Sequence, residues 1–152
     1  MPDVLAVSDV RNRWAEVFRQ AVTERRPVAI GRGGSERALL IGIDELERLI
    51  TGYEFHPEAF FEPEAVSIWL PELGLYGRGK AFAEAEDDLL TEVREYVDEY
   101  LSETHLYLRA PNRAEHFPFV MKAFVADAED RLASVVFAQH DARPTAEPAS
   151  SI

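Results

Sequence analysis

The first 52 residues alternate apolar runs with strong helix and strand breakers, and this order constrains the fold more than any other feature of the chain. After Ser8, apolar residues recur with the spacing i, i+4, i+7, i+8, i+11 and i+12, which is one stripe of a helix. These residues are Val10, Trp14, Val17, Phe18, Ala21 and Val22. Ser8 is a suitable N-cap, and Pro27 ends the helix because it lacks an N–H. We therefore predict a short strand over 4–7 and then a helix.

Two short apolar runs flank a glycine-rich segment after Pro27 and predict a β-hairpin. The runs cover residues 28–30 and 38–43, and the turn Gly-Arg-Gly-Gly-Ser-Glu lies between them. Asp44 and Glu47 then have the spacing of a capping box, which predicts a short helix over 45–50. Residues 1–52 are thus predicted to form a β-α-β-β-α module.

The rest of the chain predicts a second module and a tail, so the fold class is α+β. In order, we expect an ordered connection over 53–63, strands at 65–70 and near 75–76, a long helix over 81–101, a strand over 105–110, a helix opening at 118 and a last strand over 132–137. The second module covers residues 53–140. Residues 141–152 are rich in Pro, Ala and Ser and predict a disordered tail.

The formal net charge is −12, and all of it belongs to the second part of the chain. Residues 1–50 carry eight basic and eight acidic side chains, whereas residues 51–152 carry eight basic and twenty acidic ones. Because an acidic surface repels phosphate, nucleic acid is an unsuitable partner for the second part but not for the first. This asymmetry indicates two partners of opposite charge.

The arginines of the first part are placed where they could bind DNA. At a helix start or a hairpin tip, a guanidinium can reach phosphates or guanine edges. The candidate residues, at the predicted helix start and in the hairpin turn, are Ser8, Arg11, Asn12, Arg13 and Arg32. An ordinary solvated surface remains an equally simple interpretation of any one of these arginines.

The sequence gives little support for catalysis. It has no cysteine, and its four histidines lack the spacing of a metal site or of a nucleophile–base pair. We therefore predict no catalytic residue, no metal and no cofactor. No apolar run approaches the ~20 residues that cross a bilayer, and no signal-peptide pattern opens the chain, so we expect a cytoplasmic protein without a membrane partner.

Residues 7–14 (VSDVRNRW) and 27–46 (PVAIGRGGSERALLIGIDEL) resemble the Phd/YefM antitoxin family. That family has Ser-x-x-Arg at the start of its first helix, an Ile-Thr-Arg-x-Gly hairpin, and Ala-x-Leu before an acidic-capped helix. The resemblance covers the first third of the chain and implies a homodimer that binds operator DNA and represses its own operon. It implies DNA contacts by Arg11 and Arg32. At the dimer interface or in the core, we expect Trp14, Phe18 and Leu40.

Residues 65–74 (AVSIWLPELG) and 77–85 (GRGKAFAEA), with the acidic helix after them, are similar to the HicB antitoxins. The HicB pattern is a strand, Pro-Asp-Leu-Pro-Gly, Gly-Asp-Thr-x-x-Glu-Ala and a helix. Its second proline and its Asp-Thr pair are missing here. The resemblance implies that residues 53–140 form a HicB-like module that binds a toxin.

Together these features predict an antitoxin of a type II toxin–antitoxin system. By analogy with longer Phd-like antitoxins, the expected toxin is a basic endoribonuclease of the RelE type, to which an acidic surface is complementary. Its binding residues are expected on the outer face of the long helix, at Glu84, Asp88, Glu92, Glu95 and Glu99.

Three alternatives remain open at this point. The acidic face can simply be solvated, as most such faces are. The chain can be a stand-alone transcriptional regulator or a protein-interaction module without a toxin. It can also be a small enzyme with a carboxylate site at Glu84, Asp87 or Asp88.

Overall fold

A computed structural model describes residues 3–138, so the predicted tail over 141–152 lies outside the described residues. The chain divides into two compact units, residues 1–51 and 52–152. Each unit has its own three-stranded sheet and its own hydrophobic core. The architecture is therefore mixed α+β.

The first unit consists of a small sheet and short helices. Its elements are β1 (Val4–Ala6), α1 (Val7–Asn12), α2 (Trp14–Val22), β2 (Val28–Arg32), β3 (Glu36–Leu40) and α3 (Ile43–Leu49). The strand order is β1-β2-β3, with β1 parallel to β2 and β2 antiparallel to β3. In the hairpin turn, Gly33 and Gly34 have φ angles of 63° and 80°, a conformation that favours glycine.

Both predicted helix caps of this unit are wrong. The parallel pairing of β1 with β2 ends at Ala6, and the helix begins directly after it at Val7, so Ser8 already lies inside α1. Likewise, α3 begins at Ile43 after Gly42, and Asp44 makes no capping hydrogen bond. At α1, the end of the adjacent strand overrode local capping chemistry.

The predicted first helix is broken in two, and its apolar stripe divides. Arg13 has φ −125° and ψ 32°, which is outside the helical region and separates α1 from α2. Half of the stripe, Val10, Val17 and Ala21, is buried with Val28. The other half, Trp14, Phe18 and Val22, is 50%, 47% and 44% exposed. The three-stranded sheet is too narrow to cover the whole stripe.

The second unit is an antiparallel meander covered on one face by helices. Its elements are β4 (Glu58–Glu62), β5 (Ala65–Leu70), β6 (Leu75–Gly79), α4 (Phe82–Ser102), α5 (Thr104–Tyr107), a 3₁₀ turn (Ala114–His116), α6 (Phe117–Ala128) and α7 (Leu132–Val136). The strand order is β4-β5-β6. The core of the unit includes Ile68 and Leu70 of β5 together with Leu89 and Val93 of α4.

Two glycines set how closely α4 lies on β6. A Cβ atom at Gly77 would lie 2.4 Å from the carbonyl oxygen of Ala85 and 2.5 Å from the backbone nitrogen of Leu89. A Cβ atom at Gly79 would lie 2.4 Å from the Cβ of Glu84. Glycine in a strand is typical of such close backbone approach.

Most predicted elements of this unit are confirmed, and two are wrong. The strand over 65–70 has the predicted bounds, the strand near 75–76 extends to Gly79, and the long helix covers 82–102. The ordered connection over 53–63 also contains the strand β4.

The two predicted strands near the end of the chain are helices. Residues 104–107 form α5 and then turns, because the Tyr107 ring stacks on Tyr100 of α4 at 4.6 Å. Residues 132–136 form α7, whose Leu132 and Val136 lie four positions apart and both enter the core. Tertiary packing overrode the β-propensity of these short segments.

Candidate functional site

The candidate DNA-binding residues lie on α1, just after it, and at the β2–β3 turn. The sequence predicts Arg11 and Asn12 in the first turn of a long helix. Because α1 is only six residues long, they lie instead in its last turn. The helix start nearest to them along the chain is that of α2, which begins at Trp14 directly after Arg13. Ser8, Arg11 and Asn12 are all exposed.

Ion pairs distinguish the three arginines of this surface. Arg13 Nη2 lies 3.3 Å from Glu16 Oε1, and Arg32 Nε donates to Glu36 Oε1 over 2.5 Å. The hydrogen bond to Glu36 raises the pKa of Arg32. Within residues 3–138, Arg11 forms no such pair. Arg11 is therefore the guanidinium that a phosphate could bind without displacing a carboxylate.

Trp14 and Phe18 form an exposed aromatic pair outside the core of the first unit. Their ring centroids lie 5.6 Å apart. Leu40 is half-buried against the core, and together with Phe18, Val22 and Ile43 it lines an open groove of about 310 Å³. An exposed aromatic pair beside an apolar groove is typical of a protein–protein interface. The structure thus leaves these residues available for dimerisation.

The five acidic residues predicted to bind the toxin share one side of α4. At about 100° per residue, their positions fall within an arc of about 80° on the helix surface. We call this set the acidic stripe: Glu84, Asp88, Glu92, Glu95 and Glu99. The buried residues Leu89 and Val93 lie outside this arc.

The first two residues of the acidic stripe are hydrogen-bonded inside the unit. Asp88 Oδ2 accepts a hydrogen bond from the backbone N–H of Arg78 at 2.8 Å, and Glu84 Oε1 accepts one from that of Lys80 at 2.7 Å. Arg78 belongs to β6, which is an edge strand of the described sheet. Asp88 therefore satisfies a donor that the edge strand otherwise leaves to water or to another chain, and Glu84 satisfies a donor just after the end of that strand.

The other three residues of the stripe differ in their surroundings. Glu95 is exposed and Glu92 half-buried, and neither forms an ion pair within residues 3–138. Glu99 lies beside Tyr107. Partial burial raises the pKa of Tyr107, and a hydrogen bond with Glu99 raises it further. Glu92 and Glu95 are thus the stripe carboxylates best placed to meet an external cation.

A network of aromatic and basic residues, which the sequence-based prediction missed, holds the segment after α4 against that helix. Arg113 Nη1 donates to the Tyr96 hydroxyl at 3.0 Å, and that hydroxyl lies 2.6 Å from Nδ1 of His116. The Tyr100 hydroxyl donates to the Arg113 carbonyl at 2.8 Å. The only sequence signal for this network was the pair of tyrosines four positions apart on the apolar face of α4.

His116 is neutral in the arrangement that the network favours. Because Arg113 donates to the Tyr96 oxygen, the hydroxyl hydrogen of Tyr96 is directed to Nδ1 of His116. Burial lowers the pKa of His116, and the positive charge of Arg113 lowers it further. Protonation of His116 would therefore disturb the packing at the end of α4.

The described residues offer charged and apolar surfaces to partners. Among them, no three His, Cys, Asp or Glu side chains are placed to hold a metal ion together. No helix in the same residues combines the length and apolar character needed to span a membrane.

His56 contacts the carboxylate of Glu72 at two points. Glu72 Oε1 accepts a hydrogen bond from the backbone N–H of His56 at 3.0 Å, and Glu72 Oε2 lies 2.8 Å from Nδ1 of the His56 ring.

Comparison with known proteins adds two findings. A family model named PHD_like, described as an antitoxin of the RelE/RelB toxin–antitoxin system, matches residues 1–138. The crystal structure of an antitoxin part of a toxin/antitoxin system from Syntrophomonas wolfei subsp. wolfei is similar, with a TM-score of 0.70. It is 20% identical in sequence, over 88% of this chain and 95% of that one, so the likeness concerns the fold. None of the curated proteins compared matches the chain.

Proposed function

The chain belongs to the PHD_like family of antitoxins from RelE/RelB toxin–antitoxin systems, and from that premise we propose how its two units contribute. Residues 3–51 form a Phd/YefM-like homodimer that binds operator DNA and represses the operon. Residues 52–138 bind and neutralise the toxin. The separation of charge carries this proposal, because the first unit is neutral and the second contains the whole net charge of −12.

The toxin that fits the second unit is a basic endoribonuclease of the RelE type. An enzyme that cleaves RNA needs a positive surface, and a carboxylate surface that covers it both attracts the toxin and excludes RNA. We assign the central contact to Glu92 and Glu95, with Glu99 beside them. Glu84 and Asp88 extend the same negative potential, although each is already bonded to a backbone N–H.

Operator binding is assigned to the exposed polar residues of α1 and the hairpin. Arg11 is the main phosphate contact because no carboxylate pairs with it in residues 3–138. Arg32 becomes a contact when phosphate replaces Glu36. A dimer that forms through Trp14, Phe18 and Leu40 brings together two copies of Arg11 and two of Arg32. The operator should therefore be palindromic.

Charge reversal on α4 tests the toxin-binding part of the proposal. The double variant Glu92→Lys, Glu95→Lys should no longer bind the toxin encoded beside this chain's gene, or rescue cells from it. The matched control is Asp87→Lys, Asp98→Lys, which makes the same change of charge on the same helix outside the acidic stripe. If both double variants bind the toxin alike, the stripe is not the toxin site.

The DNA-binding part is tested on the same chain with the operator fragment. Arg11→Ala should weaken binding and reduce the slope of log K against log salt concentration by about one. Arg48→Ala, an exposed arginine on α3, is the control that should leave both unchanged. A chain that neutralises the toxin but never binds the operator would refute this part alone.

A further inference from the structure

Among residues 3–138, no helix covers one of the two faces of the sheet of the second unit. Gly77 and Gly79 of β6 face α4, so the residues that alternate with them lie on the opposite face. This outer face is formed by Glu58, Phe60 and Glu62 of β4, Ala65, Ser67 and Trp69 of β5, and Tyr76 and Arg78 of β6. Phe60 is 48% and Tyr76 50% exposed, and Trp69 is half-buried.

The strand register arranges this face in rows across the sheet. One row is Glu58, Trp69 and Tyr76, and the next is Phe60, Ser67 and Arg78. The rings of Trp69 and Tyr76 pack at 4.5 Å between centroids. The centre of the face is therefore aromatic.

Opposite charges lie at the two edges of the outer face. The β4 edge carries Glu58 and Glu62, and the β6 edge carries Arg78 and is followed by Lys80. Within residues 3–138 the side chains of Glu58, Glu62 and Arg78 form no ion pair. Each edge thus presents charge that no ion pair within the described residues neutralises.

We propose that this outer face binds the same face of a second copy of the chain. Two sheets that pack face to face lie about 10 Å apart with nearly aligned strands. A two-fold axis along the strands places β4 of one copy over β6 of the other. Glu58 then faces Tyr76 of the second copy, Phe60 faces Arg78 and Trp69 faces Trp69.

The charges select this arrangement over the other two-fold packing of the same face. An axis across the strands would stack β4 on β4 and oppose glutamate with glutamate, which is unfavourable. With the axis along the strands, Arg78 lies between Glu58 and Glu62 of the second copy, and its guanidinium covers the ring of Phe60. The face is therefore complementary to itself in both charge and aromatic character.

The size of the outer face determines how strongly two copies of the chain are expected to associate. Three strands of five or six residues cover about 14 Å by 17 Å, which is well below the roughly 800 Å² per partner of a stable complex. The association should therefore be weak and visible only at micromolar concentrations and above. Since a two-fold interface is closed, each copy joins one neighbour through this face. This pairing is separate from the dimer proposed for residues 3–51 and does not depend on a toxin.

Sedimentation velocity of the full chain, over about 10–500 µM, tests the pairing. The wild type should show a concentration-dependent association step. Glu58→Arg and Arg78→Glu should each weaken that step by about tenfold or more, because each change occurs twice in the interface. Arg109→Glu and Glu129→Arg, the same reversals at exposed positions outside the face, should leave it unchanged.

Mixing the two variants gives the decisive result. The Glu58→Arg copy carries arginine at both position 58 and position 78, and the Arg78→Glu copy carries glutamate at both positions. Together they restore both cross-interface pairs, so the equimolar mixture should associate at least as strongly as the wild type. A general loss of folding cannot produce that recovery. The proposal is overturned if the wild type shows no such step, if the mixture fails to recover it, or if the variants lose binding only to the toxin.

Discussion

Replacing Gly77 by alanine tests the close approach of α4 to β6. The new Cβ would lie 2.4 Å from the Ala85 carbonyl oxygen and within 2.6 Å of two atoms of Leu89. An ordinary contact needs 3.4 Å or more, so α4 would have to retreat from β6 by about 1 Å. The obstructing atoms are two backbone atoms and one Cβ atom of a long helix, and no side-chain rotation can remove the overlap.

The expected loss of stability follows from the cost of inserting one methyl group into a packed core. Such overpacking costs about 1–3 kcal/mol, and we expect about 3 kcal/mol here because the helix backbone must move. At about 4–8 °C per kcal/mol for a domain of this size, Tm should fall by roughly 12–24 °C. Toxin neutralisation should fail at temperatures between the two Tm values, because α4 carries the acidic stripe.

Gly52 provides the matched control. Apart from Gly52 itself and its two neighbours in the chain, no atom of residues 3–138 lies within 4 Å of a Cβ built at Gly52, and its φ is not in the left-handed region. Gly52→Ala should therefore leave stability within about 1 kcal/mol of the wild type, on the stabilising side.

Urea unfolding, monitored by the fluorescence of Trp69, reports on the second unit. Trp69 lies in β5 beside the residue that pairs with Gly77. A Trp14→Phe background leaves Trp69 as the one tryptophan. If Gly77→Ala and Gly52→Ala unfold at the same urea concentration, the close approach of α4 to β6 is refuted.

Three further predictions concern single side chains. Because the pKa of His116 is lowered in the fold, the unfolded chain binds that proton first, so stability should fall as pH drops below 6.5. The urea midpoint should fall less in His116→Gln between about pH 7 and pH 5, and an equal fall would contradict this. Asp88→Ala leaves the backbone N–H of Arg78 without its carboxylate acceptor and should lower the free energy of unfolding, measured with urea, by about 0.5–1 kcal/mol. Asp87→Ala should lower it less. Phe18→Asp should convert the dimer proposed for the first unit to a monomer in sedimentation at low micromolar concentration, where an unchanged mass would count against that interface.

The candidate sites were predicted from the sequence to different degrees. Helical spacing was enough to put all five acidic residues on one side of α4, because that spacing is a local property of the chain. Spacing could not show that Glu84 and Asp88 bind backbone donors near β6, since those donors become available only when the strand becomes an edge. The aromatic outer face is not predicted, because Pro57 and Pro63 on either side of β4 favour a connection over a strand.

The sequence by itself determined the order of elements in residues 1–52, the strand over 65–70, the long helix after it and the separation of charge between the two parts. These follow from local periodicity, chain breakers and composition, which need no partner segment. Only the tertiary structure decided that the first helix breaks at Arg13, that Trp14 and Phe18 stay exposed, and that residues 132–136 are helical. Each of these depends on how much apolar surface the neighbouring elements can cover, and that area exists only once the sheets are assembled.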